Sequence, residues 1–291
     1  MVVGKISEER VKALAKAIGS LGVRALVELE ERLDPQYEDM QRLAESVGRG
    51  AATVYGMLVA LSSYRLTMKG EEWWSCVSET LSSYGRPKDL GAAVDNVVRF
   101  LRECKGASVG RDVKIRRVLK VYAGAGRLLQ GIMEDPSIVT RSPSEVLNAL
   151  ATALGAREDK KTITFSLKMA YYASRPRGSL TPLTYNIPMP VDVRVACVSI
   201  TSGIIYGVSD YRQLVRDPRE AQKAWLRVAE LSSVPTPHMD SLIWVVGWAP
   251  RDLPPDEARR VIHDKVSAVA GDEIASLVAR ELTYRPCQRR V

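Results

Sequence analysis

Histidine and phenylalanine are nearly missing from this chain, with two of each among 291 residues. The four cysteines, Cys76, Cys104, Cys197 and Cys287, are scattered and form no CxxC pair. With so few imidazoles and no paired thiols, no metal site is expected, and a reduced, intracellular (cytoplasmic) state is the simplest reading. No apolar run approaches the length of a bilayer span, and the charged Glu8, Glu9 and Arg10 follow the first residues closely. Neither a membrane segment nor a secretory signal is therefore expected. Internal repeats and low-complexity segments are lacking too. What is present is ordinary globular composition, 46% apolar and 26% charged, at a length that supports one large domain or two modest lobes. The net charge of +8 permits a polyanionic partner without identifying one.

Helical periodicity dominates, and the fold class it predicts is all-α. Ser7 is placed to cap a helix with Val11, Leu14, Ile18 and Leu21 on one face, and Gly22 interrupts it before a second run through Leu26, Leu29 and Leu33. Residues 51–66 read as a buried, nearly all-apolar helix. Gly70 precedes Glu71-Glu72-Trp73-Trp74, with acids in the first turn as a helix start prefers. Ser142-Pro143-Ser144-Glu145 reads as a capping box with proline at the first helical position. That helix should run to Leu154 and stop at Gly155, and another should begin near Lys161, giving a helix-hairpin-helix unit over about 143–173. A Pro/Gly/Ser-rich loop spans 174–190. Helices near 193–205, 218–232, 237–248 and 255–282 complete a single unit, 1–291.

Two helix starts carry side chains of opposite charge, Lys161 and Asp192. The partial positive charge at a helix N-terminus disfavours an ammonium and favours a carboxylate, so a lysine there is nearer to a nucleophilic amine. Each has a plain alternative: Lys161 as a solvated lysine in the run from Arg157, and Asp192 as a simple N-cap. The hairpin turn can bind a DNA phosphate through its backbone N–H groups, or be merely structural. Asp240 and Trp244 lie one turn apart on a helix capped by Thr236-Pro237, which suits a planar ligand with N–H donors on its edge. The adjacent Trp73 and Trp74 point about 100° apart, so one faces a given pocket and the other packs in the core. Between Arg111 and Lys120, apolar positions at 115, 118 and 119 leave Lys114, Arg117 and Arg111 towards solvent, as a phosphate-contacting stripe or a solvated face. His238 and His263 give no sign of catalysis.

In order along the chain stand Asp34-Pro35-Gln36-Tyr37, Ser63-Tyr64-Arg65-Leu66-Thr67, Lys69-Gly70-Glu71-Glu72-Trp73-Trp74, and Gly155-Ala156-Arg157 with Lys161-Thr162. Then follow Ile187-Pro188-Met189-Pro190-Val191-Asp192-Val193-Arg194-Val195-Ala196 and His238-Met239-Asp240 with Leu242-Ile243-Trp244. Through these motifs the chain, from about Leu29 to Trp248, resembles the archaeal GO glycosylases (AGOG), 8-oxoguanine DNA N-glycosylases with lyase activity and a divergent helix-hairpin-helix fold. The resemblance implies two helical lobes with the active site in the cleft between them, no cofactor, a monomer, and DNA containing 8-oxoguanine as partner. It assigns Lys161 as the Schiff-base nucleophile, in preference to Lys160 because the family's lysine directly precedes a threonine, and Asp192 as the essential carboxylate. It places Trp74 and Trp244 on the two faces of the flipped base. Gln36, Ser63 and Asp240 would meet its edge, with Pro190 and the backbone carbonyl of Arg157 as further contacts. The competing readings are a glycosylase for another damaged base and a non-enzymatic helical DNA-binding protein.

Overall fold

A computed structural model describes residues 3–287. Helices make up nearly all of the regular structure. Among the described residues the exception is one antiparallel pair of two-residue strands, β1 (Lys5–Ile6) and β2 (Ile205–Tyr206), with Lys5 opposite Tyr206. The chain divides into two compact units. One is continuous, Pro35–Ser179; the other is assembled from Met1–Asp34 and Leu180–Val291. No helix among the described residues is long and apolar enough to cross a membrane.

The discontinuous unit begins with α1 (Glu8–Leu33), where the Ser7 hydroxyl accepts from Arg10 N as its position predicts. Gly22 adopts φ 76°, a conformation open to glycine, and bends the helix at the interruption seen in its apolar pattern.

The continuous unit contains α2 (Pro35–Val47), α3 (Arg49–Ser62), α4 (Gly70–Ser83), α5 (Leu90–Glu103), α6 (Arg111–Glu134), α7 (Ile138–Arg141), α8 (Pro143–Leu154) and α9 (Lys161–Ser174). Its centre is α3. Every residue from Ala51 to Ser62 is buried, because α2, α5, α6 and α9 surround it. A helix apolar on all sides can only be central in this way. Pro143 opens α8 as expected, but the capping box does not form. Ser142 already closes α7, its N–H bonding the Ile138 carbonyl at 2.9 Å, and its side chain makes no capping bond. At the other end Gly155 sits at φ 60°, ψ 43°, with Gly155 N bonding Thr152 O and Ala156 N bonding Ala151 O. This paired pattern terminates a helix and satisfies its last carbonyls.

The discontinuous unit resumes with a loop and then α10 (Val193–Thr201), α11 (Arg212–Arg216), α12 (Arg219–Ser232), α13 (Thr236–Val246), α14 (Ala249–Asp252), α15 (Pro255–Val266) and α16 (Asp272–Leu282). Its core gathers Leu14, Ile18, Trp225, Val228, Leu242 and Leu282 as α1 packs on α12, α13 and α16. The loop is pinned rather than loose: Ile187 N donates to Thr236 Oγ1, which donates to Ile187 O, and Thr236 N donates to Asn186 Oδ1.

Two further expectations are corrected by the structure. The single helix over 255–282 is two, broken between Val266 and Asp272, with Gly271 in extended backbone as the cap of the second. The cysteines are not all reduced: Cys197 and Cys287 form a disulfide. The terminal segment returns to α10, where Arg285 N bonds Thr201 O and Arg285 Nε bonds Ile200 O. That brings Cys287 beside the buried Cys197, a pairing no spacing rule signals across 90 residues. Cys76 and Cys104 remain thiols, 3.5 Å apart.

Candidate active site

In the continuous unit the hairpin turn presents its charges outward. Lys161 is the first residue of α9, with Lys160 as the capping position, and both are exposed. The Arg157 guanidinium is exposed and pairs with Asp159, while the Arg157 carbonyl accepts the Lys160 N–H at 3.2 Å and keeps a second lone pair. One turn beyond Lys161, Phe165 packs edge-on against Trp74 at a centroid distance of 5.9 Å. Residues four apart share a helical face, so Trp74 lies on the α9 face that carries Lys161.

Both adjacent indoles are buried and point to different neighbours, Trp73 to Phe100 and Trp74 to Phe165. Trp73 tilts against Phe100 and donates its indole N–H to Ser63 Oγ at 2.9 Å; that hydroxyl in turn donates to Val59 O. Ser63 therefore retains one acceptor position. Gln36 is buried at the second residue of α2.

The basic stripe of α6 is where the structure departs from the sequence reading. Lys114 does not face solvent. It is fully buried, with Nζ 3.4 Å from Ala107 O and 5.4 Å from the centre of the Tyr64 ring, and burial pushes its ammonium below the usual range. The reason is register: α6 buries 114, 118, 121 and 125, and lets Val113 and Leu119 face out. Arg117 is half-buried and donates to Thr162 Oγ1 at 2.8 Å, with its guanidinium also shifted down by desolvation. Arg111 is half-buried and reaches Cys104 O. The exposed cations of this helix are Arg116, Lys120 and Arg127, so Lys114 and Arg117 are withdrawn as a phosphate-contacting stripe.

In the discontinuous unit Asp192 is the N-cap of α10. Its Oδ1 accepts from Arg194 N at 2.9 Å and Val195 N at 3.0 Å, and among the described residues Oδ2 takes no hydrogen bond. Arg194 ties this helix start to Trp244: its guanidinium lies 3.9 Å from the indole centre and donates to Trp244 O at 2.8 Å. One indole face is thereby covered. The Trp244 indole N–H is buried with no hydrogen-bond partner among the described residues. Asp240, one turn earlier on α13, is 8% exposed, and Pro190 is buried beside Val191.

Sequence reasoning missed several partners. Phe165 was within reach, as one of two phenylalanines and four residues past Lys161. The Arg194–Trp244 contact spans 50 residues and leaves no local trace. His238, unremarkable in sequence, is fully buried, with Nε2 accepting from Leu183 N and Nδ1 2.8 Å from Glu30 Oε1, which also accepts from Ser241. No group of three or more His, Cys, Asp or Glu side chains with the makings of a metal site occurs among the described residues.

Residues 15–277 match the protein family described as "AGOG: N-glycosylase/DNA lyase". The chain is 45% identical to an N-glycosylase/DNA lyase of Aeropyrum pernix over 284 residues, covering 97% of this chain and 98% of that one. It is 30% identical to an N-glycosylase/DNA lyase of Pyrobaculum aerophilum over 246 residues, 84% of this chain and 88% of the relative. Among solved structures it is similar, at TM-score 0.72 and 26% identity over 97% of this chain and 99% of that chain, to the 8-oxoguanosine-complexed 8-oxoguanine DNA glycosylase Pa-AGOG of Pyrobaculum aerophilum.

Proposed function

The chain belongs to the AGOG family of N-glycosylase/DNA lyases, and from that premise we propose that it excises 8-oxoguanine from DNA through a lysine Schiff base. It acts as a monomer on intracellular DNA. The observation that carries the reading is the placement of Lys161: an exposed amine at the first position of a helix, on the face where Trp74 packs against Phe165.

An enzyme acting on a base must draw it from the stack, at a cost of a few kcal/mol, and stacking on an aromatic ring returns about 1–3 kcal/mol per contact. Trp74 and the Trp244 face opposite Arg194 supply such contacts in this reading. The lesion differs from guanine in bearing oxygen at C8 and hydrogen at N7. The second lone pair of the Arg157 carbonyl accepts from that N7–H, whereas guanine would turn a lone pair towards it, a repulsive arrangement in a dry site. Asp240 accepts from the Watson–Crick donors, and Gln36, Ser63 and Pro190 complete the contacts to the base.

In the reaction the neutral Lys161 amine attacks C1′ as the glycosidic C–N bond breaks and its electron pair leaves with the base. Asp192, whose Oδ1 is held by two backbone N–H groups, stabilises positive charge at C1′ through Oδ2 and takes the proton shed by the attached nitrogen. Opening of the sugar ring gives the imine. The imine acidifies C2′–H, and loss of that proton expels the 3′ phosphate by β-elimination. The lysine itself supplies the electron-withdrawing imine, so the chemistry calls for no metal or organic cofactor. Borohydride trapping on duplexes carrying one 8-oxoguanine, one uracil, one alkylated purine or none tests the substrate. A covalent adduct confined to the 8-oxoguanine duplex is expected; trapping on another lesion instead would reassign the enzyme, and trapping on none would favour a DNA-binding protein.

A further inference from the structure

We propose that Arg117 is a positioning residue for Lys161, holding the first turn of α9 through Thr162 and so setting where the reactive amine stands. The proposal rests on the reading of Lys161 as nucleophile. Thr162 follows Lys161 directly, and its hydroxyl accepts from Arg117 Nη2 at 2.8 Å. Three residues along the same face of α6, Lys120 donates to Leu154 O at 3.2 Å, the last residue of α8. One helix thus grips both ends of the hairpin turn. That helix is itself fixed against α8: a Cβ built on Gly124 would stand 2.8 Å from Ala153 Cβ, so the two backbones are in close contact there.

Stability alone does not account for an arginine at 117. Its Nε is buried and has no hydrogen-bond partner among the described residues. A desolvated cation with one side-chain partner is poorer for folding than an aliphatic residue of similar volume. It also stands beside a helix N-terminus, where the dipole disfavours positive charge. What arginine supplies is reach and a rigid, planar donor aimed at a single hydroxyl. Fixing Thr162 limits the swing of the α9 start, and the lysine beside it inherits that limit.

A phosphate-contacting arginine and a positioning arginine predict different kinetics. The test compares Arg117→Met, Arg117→Lys, Thr162→Val, Thr162→Ser and the Arg117→Met/Thr162→Val double variant. Two quantities are read on an 8-oxoguanine duplex: the single-turnover rate of borohydride-trappable adduct formation, and the Kd at two salt concentrations. Arg117→Met and Thr162→Val should each slow adduct formation on the order of 10- to 100-fold, as misplacement of a reacting group by about 1 Å does. Kd and its salt dependence should stay unchanged, Thr162→Ser should restore the rate, and the double variant should be no slower than the worse single one. A weaker, less salt-dependent Kd with an unchanged rate would identify a phosphate contact and overturn the proposal. If Arg117→Met does not fold, the Thr162→Val and Thr162→Ser pair decides, and an unchanged rate in Thr162→Val overturns it. Lys161→Gln separates the two levels: trapping that survives in it refutes the nucleophile, while trapping that vanishes in it but is untouched in the Arg117 and Thr162 series refutes the positioning role alone.

Discussion

Replacing Asp192 by asparagine and by alanine separates its two roles, because the structure assigns them to different atoms. Oδ1 caps α10 by accepting from Arg194 N and Val195 N, while Oδ2 is the oxygen proposed to face the reaction. Asparagine retains an amide oxygen able to cap but carries no charge; alanine retains neither. Loss of an N-cap costs about 1 kcal/mol, whereas asparagine caps a helix about as well as aspartate. In a unit of this size 1 kcal/mol lowers Tm by about 2–4 °C. The alanine variant should therefore melt about that much lower, and the asparagine variant near the parent. Excision should behave otherwise: both variants should lose on the order of 10²- to 10⁴-fold in single-turnover rate, the usual contribution of a carboxylate that handles a proton at the reacting centre. Differential scanning calorimetry and a denaturing-gel excision assay on the same preparations read both quantities. If the asparagine variant excises at nearly the parental rate, Asp192 is an N-cap and nothing more, and the catalytic assignment is wrong.

Further outcomes follow from the same contacts. Trp74→Ala should weaken lesion binding, measured by fluorescence anisotropy. Trp73→Ala should instead act on stability, by about 3–5 kcal/mol for a buried indole, since it also removes the donor to Ser63; lesion affinity lost with Trp73 would mean the indoles are assigned the wrong way round. Cys197→Ser should lower thermal stability, with an entropic ceiling of about 4–5 kcal/mol for a 90-residue separation, and leave excision at moderate temperature intact; an unchanged Tm would contradict a structural role for the disulfide. Burial and the neighbouring Cys104 push the Cys76 thiol up to about 11. Because the thiolate is the reactive form, iodoacetamide labelling at pH 8 should be roughly a hundredfold or more slower than for a free cysteine, and should rise with pH; labelling at the free rate would refute that environment.

The helical architecture is legible in the sequence because its signals are local. Ser7, Gly22, Pro143 and Gly155 each act within four residues of where they stand, and the structure uses each as helix start, bend or stop. The all-apolar run from Ala51 likewise has one outcome, a central helix. What failed was decided by distant neighbours. Lys114 reads as solvated by composition, but its face of α6 is covered, and the aliphatic stem carries the amine to a carbonyl. Ser142 has the right partners for a capping box and is already engaged by α7. The Cys197–Cys287 bond and the Arg194–Trp244 contact join segments whose approach no local rule encodes. The candidate residues divide in the same way. The positions of Lys161 and Asp192 at helix starts are local facts, while the company each keeps, Phe165 with Trp74 or Arg194 with Trp244, is tertiary.

The claim at the centre is that Lys161 forms the covalent intermediate. Borohydride reduction of the enzyme on an 8-oxoguanine duplex, followed by protease digestion and tandem mass spectrometry, locates the attached sugar directly. The adduct mass is expected on Lys161, and should disappear in Lys161→Gln but not in Lys160→Gln. An adduct mapped to Lys160, or to any other amine, would contradict it.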